Sequence, residues 1–342
     1  MLEWIRRMPK VELHVHLDGS LRLNTLEELA AAAPENVGMP VTGDLRGAVV
    51  LKGAHPLEDY LAAFDYTVPV LQTPSALTRA AYELCADAAA ENVIYIEPRF
   101  APLLHTRLDL KPRDVVAAVL LGLRQAHEEF GIETGLLLTA LRQNSTEESI
   151  ETVQLAAQFR REGVVGFDLA GPERLFPLLK HRKAVEFAHD AGLHVTLHAG
   201  EGCCPEQIRE AIDLGADRIG HGVHLLEAPR TERRVAELGI PLEMCPTSNL
   251  QVGGFLRSYK DHPIQRYLEL GIPVTVNTDN RLMSAVDLSH EFRALVRAFS
   301  WTRDIVHTVT SNAIRAAFVP EDRKAALQAR VDAFFSSHRA RR

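Results

Sequence analysis

The fold is first indicated by the stretch Val11-Glu-Leu-His-Val-His-Leu-Asp-Gly-Ser20, in which two histidines stand two residues apart in an alternating apolar segment. In a β-strand, positions i and i+2 face the same side of the sheet. The segment therefore predicts a strand that presents the imidazoles of His14 and His16 in parallel at one edge. Two parallel imidazoles form half of a zinc site, and the simpler alternative is a pair of hydrogen-bonded histidines in a half-buried strand.

The same local pattern, a short β-branched run with a polar or glycine-containing end, recurs along the chain. The predicted strands are 11–17, 93–100, 133–141, 164–171, 194–200, 218–224, 241–247 and 273–279. The helical patterns between them are 112–130, 147–161, 181–191, 205–214, 229–238 and 263–270. This alternation predicts an α/β protein with a parallel sheet, and eight parallel strands close into a (β/α)8 TIM barrel. A doubly wound open sheet is the alternative.

Extra helices are expected in two places. The long interval between Leu17 and Val93 contains helical patterns at 25–33, 57–68 and 74–90, which we expect to cover the barrel mouth and a ligand there. Two further helices, 302–318 and 320–336, are expected to close the other side. No repeat or flexible linker divides the sequence, so one domain over residues 1–342 is predicted.

Composition excludes several classes of protein. The 342 residues, 46% of them hydrophobic, are typical of a globular protein, and a net charge of -7 disfavours nucleic-acid or membrane partners. The N-terminal residues lack an apolar signal region and no run is long enough to span a bilayer, so a cytoplasmic location is expected. Free thiols are expected at the cysteines, which are Cys85, Cys203, Cys204 and Cys245.

Reactive side chains concentrate where the predicted strands end, which is where the active sites of such barrels lie. They are His14 and His16 on the first strand, His198 and Glu201 after the fifth, His221 and His224 after the sixth, and Asp279 after the eighth. Three imidazoles and a carboxylate suit Zn²⁺ with an open position for water. A water on Zn²⁺ has a pKa of about 7, so such a site generates a nucleophile at neutral pH.

Two of these residues have more than one interpretation. Glu201 lies in a glycine turn and is either a proton donor or acceptor beside the metal or a solvated loop carboxylate. His221 stands between Gly220 and Gly222, which allow close approach of backbone and substrate. It is a ligand, a base that orients the metal water or a core histidine, whereas His224 is expected to be structural.

Several competing motifs are missing from the sequence. It contains no phosphate-binding glycine loop and no His-x-Glu with Pro-Cys-x-x-Cys, the signature of the cysteine-ligated nucleobase deaminases. The fourth predicted strand ends in Phe167-Asp-Leu-Ala-Gly171, without a lysine that could be carboxylated to bridge two metals. One metal ion per chain is therefore favoured over two.

These motifs resemble those of the adenosine deaminases, metal-dependent purine deaminases of the amidohydrolase superfamily. The resemblance runs almost end to end through Val11-Glu-Leu-His-Val-His-Leu-Asp-Gly-Ser20, Phe167-Asp-Leu-Ala-Gly-Pro-Glu173, His198-Ala-Gly-Glu201, Gly220-His-Gly-Val-His224, Cys245-Pro-Thr-Ser248 and Asn277-Thr-Asp279. It implies a (β/α)8 barrel with one zinc ion that deaminates adenosine and 2′-deoxyadenosine to inosine and deoxyinosine, with loss of ammonia.

The resemblance also implies a role for each matching catalytic residue. Zinc would be bound by His14, His16, His198 and Asp279. Asp279 would in addition hold the attacking hydroxide, and Glu201 would protonate N1 of the purine so that C6 becomes electrophilic. His221 would orient or deprotonate the water.

On the substrate side, the resemblance implies that Asp18 meets the ribose 5′-hydroxyl and that Gly171 offers its backbone N–H to the ring, with His16 also in contact with the substrate. Many family members have Asp-Asp where this chain has Asp279-Asn280, and the second residue contacts purine N7. Because N7 is an acceptor, the amide of Asn280 donates at any pH, whereas an aspartate must be protonated to do so.

The identity of the substrate stays open between several 6-aminopurines. Adenine and 6-amino-6-deoxyfutalosine are alternatives to adenosine, and AMP would need a cationic pocket. The candidates for that pocket are Arg99, His105 and Arg107, whereas Asp18 would repel a phosphate. A catalytically silent nucleoside-binding regulator is the alternative from another class of protein. The expected partner is a small-molecule purine nucleoside, and the oligomeric state is left open.

Overall fold

The computed structural model describes residues 3–33 and 37–339. Its strands are β1 (Lys10–His16), β2 (Val93–Phe100), β3 (Glu133–Thr134), β4 (Leu136–Leu141), β5 (Val164–Ala170), β6 (His194–Ala199), β7 (Arg218–His221), β8 (Leu242–Met244) and β9 (Val274–Val276). Its helices are α1 (Glu3–Arg7), α2 (Leu23–Ala32), α3 (Leu45–Val49), α4 (Leu57–Leu61), α5 (Phe64–Thr67), α6 (Pro74–Ala90), α7 (Pro112–Phe130), α8 (Thr146–Gln158), α9 (Arg182–Asp190), α10 (Pro205–Asp213), α11 (Pro229–Leu238), α12 (Pro246–Gln251), α13 (Ile264–Glu269), α14 (Leu288–Phe299), α15 (Arg303–Ala316) and α16 (Glu321–Arg339).

The strands form one parallel barrel. The order is β1-β2-β4-β5-β6-β7-β8-β9, and the short β3 pairs with β2 just before the chain enters β4. The barrel closes where Val15 of β1 pairs with Asp279 beyond β9, with His16 N–H donating to the Asp279 carbonyl at 2.7 Å. The predicted (β/α)8 architecture is confirmed, and this closure excludes the open-sheet alternative.

The segment between β1 and β2 covers the end of the barrel where the strands finish. The predicted helix at 57–68 is divided into α4 and α5, and Tyr60, Phe64 and Val68 from this region line the central cavity together with His16. The expectation of a cover over a ligand cavity is therefore confirmed. The additional helix α3 in this segment was not predicted.

The segment that follows α15 lies at the opposite end of the barrel. After α15, the ring of Phe318 stacks on His194 at 4.4 Å between centroids and lies 3.5 Å from the guanidinium carbon of Arg218. His194 and Arg218 are the first residues of β6 and β7, so this contact is at the strand starts. The segment after α15 therefore lies on the predicted side, whereas α15 itself packs against β1 and β9, and α14 before it was not predicted.

The cysteines differ in part from the prediction. Cys203 and Cys204 are joined by a disulfide, so the prediction of free thiols is wrong for this pair. The left-handed backbone of Cys204, with φ at 64°, turns the two adjacent side chains toward each other. Within the described residues, Cys85 and Cys245 are buried and free, as predicted. None of the helices in that part of the chain is both long and apolar enough to cross a bilayer.

Candidate metal centre and active site

Four predicted ligands meet at the carboxyl ends of the strands. They are His14 and His16 from β1, His198 from β6 and Asp279 beyond β9, and one ligand atom from each lies within 4.8 Å of the others. His16 Nε2 is 3.2 Å from His198 Nε2, and Asp279 Oδ1 is 3.4 Å from the Nε2 atoms of both His14 and His16. The barrel thus brings together residues that are up to 265 positions apart in the sequence.

Two buried carboxylates orient two of these imidazoles. His14 Nδ1–H donates to Glu243 Oε2 at 2.8 Å, and His198 Nδ1–H donates to Asp168 Oδ1 at 3.0 Å. The guanidinium of Arg99 lies between the carboxylates, 2.8 Å from Glu243 and 3.3 Å from Asp168. Since each Nδ1 carries the proton, each Nε2 turns a lone pair toward the centre, which is the arrangement that metal-binding histidines require.

The donor set fits a metal ion. His14 Nε2 is fully buried and has no hydrogen-bond partner among the residues that the structure describes, so it needs a partner that the protein does not supply. Burial lowers the pKa of His16 to about 3, and a neutral imidazole is the form that binds a metal. Three imidazole nitrogens and one carboxylate are typical of a zinc centre.

The backbone is strained at two residues of the centre. Asp279 and His221 both adopt the left-handed region, with φ at 62° and 65°, where residues other than glycine are uncommon. Gly220, beside His221, leaves room for the ligands, because a Cβ there would lie 3.1 Å from His14 Cε1 and 3.2 Å from His198 Cα. The close approach at this glycine is to two metal-ligand histidines, whereas an approach of the backbone to the substrate was predicted from the sequence.

Glu201 is buried beside the centre and is not a solvated loop carboxylate. It is 8% exposed, and its Oε1 lies 3.7 Å from His221 Nε2. Its backbone N–H donates to both carboxylate oxygens of Glu173 at 3.2 Å. Burial raises the pKa of Glu201 well above its usual range, and the nearby carboxylates of Asp279 and Glu173 raise it further. This setting favours the protonated form of the carboxyl group over the carboxylate.

The two histidines at and just after the end of β7, His221 and His224, have different surroundings. His221 is completely buried, and its Nδ1 faces the side-chain amide of Asn249 at 3.0 Å. The ring of His221 lies 4.7 Å from that of His14, centroid to centroid, so it belongs to the centre. His224 Nδ1 instead pairs with Glu227 at 2.6 Å, which agrees with the structural role expected for His224.

A cavity of about 1010 Å³, including its open mouth, adjoins the centre. The predicted substrate residues all line it: His16, Asp18, Gly171 and Asn280. Asn280 Nδ2 donates to the hydroxyl of Tyr60 at 3.2 Å, which uses one of its two N–H groups. Gly171 has φ at 112°, a conformation that glycine adopts without strain. The acid Glu201, the predicted substrate contacts and three of the four metal donors therefore line one cavity.

The cationic cluster suggested for a phosphate is not assembled in the structure. Arg107 lines the cavity, but Arg99 is completely buried behind the metal centre. His105 lies 3.7 Å from Asp18, and its Nδ1–H donates to the carbonyl of Leu71 at 3.0 Å. The carboxylate of Asp18, which lines the cavity, accepts hydrogen bonds and repels negative charge, so this end of the cavity favours a hydroxyl donor over an anion.

Comparison with known proteins gives matches over almost the full length. The family model described as adenosine deaminase matches residues 9–334. An adenosine deaminase of Enterococcus faecalis is 39% identical over 330 residues, which cover 96% of this chain and 97% of that protein.

Solved structures match the whole barrel. An amidohydrolase from Burkholderia ambifaria with bound Zn has a TM-score of 0.89 at 28% identity, covering 98% of this chain and 93% of that chain. An Arabidopsis protein named ADAL, in complex with IMP, has a TM-score of 0.90 at 31% identity, covering 98% and 99%. Sequence and structure therefore point to the same family.

Proposed function

The chain belongs to the adenosine deaminase family, and from this premise we infer that the site at its strand ends carries out the hydrolysis of adenosine to inosine and ammonia. It is a hydrolase of a C–N bond, and 2′-deoxyadenosine is expected to react likewise. The observation that supports this assignment best is that three donors of the four-donor metal centre line the same cavity as the buried Glu201. Hydrolytic loss of an amino group from a ring amidine needs both an activated water and a proton donor.

Zinc is the proposed ion, with one ion per chain. His14, His16, His198 and Asp279 would hold it, and Glu243 and Asp168 would fix the rings of two of these ligands. A zinc ion bound there lowers the pKa of water, so that hydroxide is available near neutral pH. A metal content of one zinc per chain in the purified protein is the expected result.

Glu201 is proposed as the general acid. Its raised pKa keeps a proton on the carboxyl group, and this proton passes to N1 of the purine as C6 is attacked. The product of that transfer is a carboxylate next to the purine. Asp279 and His221 face the same space and would hold and orient the attacking water. The amino group then takes up the proton that the water lost and leaves as ammonia as the C6–N bond breaks, and the C6 hydroxyl proton returns to the Glu201 carboxylate as the carbonyl of inosine forms.

The other end of the cavity is proposed to recognise the ribose. Asp18 Oδ1 and His105 Nε2 are buried, and neither has a hydrogen-bond partner within residues 3–33 and 37–339. A ribose 5′-hydroxyl donates a hydrogen bond, whereas a 5′-phosphate would place negative charge against Asp18. Gly171 N–H, the free N–H of Asn280 and the ring of His16 would contact the purine. A nucleoside therefore fits this cavity better than a nucleotide.

A panel of substrates tests this proposal. The zinc-loaded protein is assayed by ultraviolet absorbance with adenosine, 2′-deoxyadenosine, adenine, AMP and 6-amino-6-deoxyfutalosine, and the substrates are ranked by kcat/KM. We expect the two adenosines to lead. If adenine or the futalosine analogue leads, the metal chemistry stands and the ribose contacts of Asp18 are wrong. If AMP leads, Arg107 at the cavity wall becomes the candidate phosphate contact.

The substitution Glu201→Gln separates an enzyme from a nucleoside-binding regulator. Glutamine cannot supply the proton, so kcat should fall about 100-fold or more while one zinc per chain is retained. Glu227→Gln is the matched control, because Glu227 is half-exposed and pairs with His224 away from the centre. Unchanged turnover in E201Q would remove Glu201 from the mechanism, and absence of turnover in the parent protein would favour the regulator.

Two further properties are proposed from the sequence and await direct tests. We propose that residues 1–342 form one domain, and limited proteolysis of the purified protein should then give no stable fragment smaller than the barrel. We also propose a cytoplasmic location, which fractionation of the source cells would test.

A further inference from the structure

The protons on His221 can be assigned from its hydrogen-bond partners. A backbone N–H always donates, so a chain of hydrogen bonds that starts at a backbone N–H has a defined direction at every step. Such a chain leads to His221 from the start of α13. The backbone N–H of Ile264 donates to His262 Nδ1 at 3.2 Å, so Nδ1 of that ring is an acceptor.

The next link is His262 itself. Burial lowers the pKa of His262 to about 3, so the ring is neutral and carries a single proton. With Nδ1 accepting from Ile264, this proton is on Nε2. His262 Nε2–H therefore donates to Asn249 Oδ1 at 3.1 Å.

A second donor fixes the orientation of the Asn249 amide independently. The backbone N–H of Cys245 donates to Asn249 Oδ1 at 3.2 Å. Two donors thus converge on one atom of the amide, which identifies that atom as the oxygen. The other atom is Nδ2, and its N–H points at His221 Nδ1 at 3.0 Å. His221 Nδ1 must accept this hydrogen bond, so it carries no proton.

We propose that Asn249 is a positioning residue that keeps the proton of His221 on Nε2, so that His221 donates a hydrogen bond to the attacking water and does not remove its proton. This inference rests on the proposed function. His221 Nε2 is buried, lies 3.7 Å from Glu201 Oε1, and lacks a hydrogen-bond partner in the described part of the chain. The proton that the water loses then passes to the Asp279 carboxylate, which faces the same space.

The same assignment separates ligand from non-ligand histidines. His14 and His198 each donate from Nδ1 to a carboxylate and so expose a lone pair on Nε2, whereas His221 has the opposite arrangement. An Nε2 that carries a proton cannot bind a metal. Glu201, His221 and Asp279 also have ligand atoms within 4.8 Å of one another, but this tautomer prevents them from forming a second metal site. No ion is therefore expected between Glu201, His221 and Asp279.

The direct test is the tautomer itself. The zinc-loaded protein is labelled with ¹⁵N in its imidazole rings, and two-bond ¹H–¹⁵N correlation spectra show which ring nitrogen carries the proton, with the His221→Gln spectrum used for assignment. We expect a protonated Nε2 and a bare Nδ1. A proton on Nδ1 would overturn the inference even if the protein deaminates adenosine. A proton on Nε2 in a protein that does not deaminate adenosine would leave the tautomer assignment standing, and only the proposed function would fail.

The substitution Asn249→Asp tests the consequence for catalysis. An aspartate accepts a hydrogen bond and should draw the proton of His221 to Nδ1, which removes the Nε2 donor. Where the spectra show that shift, kcat should fall about 100-fold with little change in KM, because the lost contact is to the attacking oxygen. If N249D carries the His221 proton on Nδ1 and its kcat is unchanged or higher, His221 acts as a base and the proposal is wrong. Asn312→Asp, an equally conservative change at another buried asparagine, controls for the cost of burying the acid.

Discussion

The substitution Glu243→Gln would test whether the carboxylates behind the ligands support both the fold and the metal centre. Glu243 accepts four hydrogen bonds, two on each oxygen. His14 Nδ1 and Arg99 donate to Oε2, each at 2.8 Å, and Thr196 and Arg218 donate to Oε1 at 2.9 and 2.6 Å. Although burial opposes ionisation, the two guanidinium groups hold the pKa of Glu243 well below its usual range.

A glutamine cannot satisfy these donors. One oxygen becomes an NH₂ group in either orientation of the amide, so two of the four donors lose their acceptor. Each buried donor left without a partner costs about 1 to 3 kcal/mol, so the free energy of unfolding should fall by about 2 to 6 kcal/mol. Loss of the acceptor behind His14 should also weaken zinc binding about 10- to 100-fold.

Urea unfolding of the metal-free protein and competition with a chelator for zinc measure the two effects of E243Q separately. Glu186→Gln is the matched control, since Glu186 and its partner Arg182 are both exposed on one helix and such pairs contribute about 0 to 1 kcal/mol. If E243Q lost less than about 1 kcal/mol and bound zinc like the parent protein, the role assigned to Glu243 would be wrong.

Three other substitutions follow from the same geometry. Asn280→Asp should make KM rise with pH, because an aspartate donates to purine N7 only while protonated, and a pH-independent KM would refute this contact. Gly220→Ala should weaken zinc binding about 10-fold, because its Cβ would lie 3.1 Å from His14 Cε1, and an unaltered affinity in chelator competition would count against this. Gly19→Ala should raise KM for adenosine with zinc retained, because its Cβ would lie 1.8 Å from Asn280 Oδ1. Wild-type kinetics in G19A would contradict the proposed contact between Asn280 and the substrate. Gly43→Ala is the control for both glycine substitutions, because a Cβ there meets nothing within 4 Å.

The sequence predicts elements well where local chemistry decides them. The helices Pro74–Ala90, Pro112–Phe130 and Pro229–Leu238 have the predicted bounds, because proline at the first helical position marks where each begins. The helix α14 was missed, although Asp287 accepts from the backbone N–H of His290 as an N-cap and marks its start. The alternating His-x-His segment was enough to predict β1, because strand periodicity is a local property.

Contacts between strands could not be predicted in the same way. Glu243 and Asp168 were visible only as single acidic residues inside apolar strands, and nothing local indicates that they meet His14 and His198. The hydrogen bond between His14 and Glu243 joins residues 229 positions apart. Strand-end motifs predict which residues share a rim of the barrel, whereas the pairing of individual atoms depends on how the strands pack.

The short helix α12 explains how two strained residues are held in place. It follows β8, which lies between β7 and β9, so α12 stands between the strand ends that carry His221 and Asp279. Ser248 Oγ–H donates to Asp279 Oδ2 at 2.6 Å, and the next residue, Asn249, donates to His221 Nδ1. Left-handed conformations at residues other than glycine persist only where their surroundings constrain them. One turn of helix therefore constrains both side chains: Ser248, the last residue of the motif Cys245-Pro-Thr-Ser248, contacts Asp279, and the residue after the motif, Asn249, contacts His221.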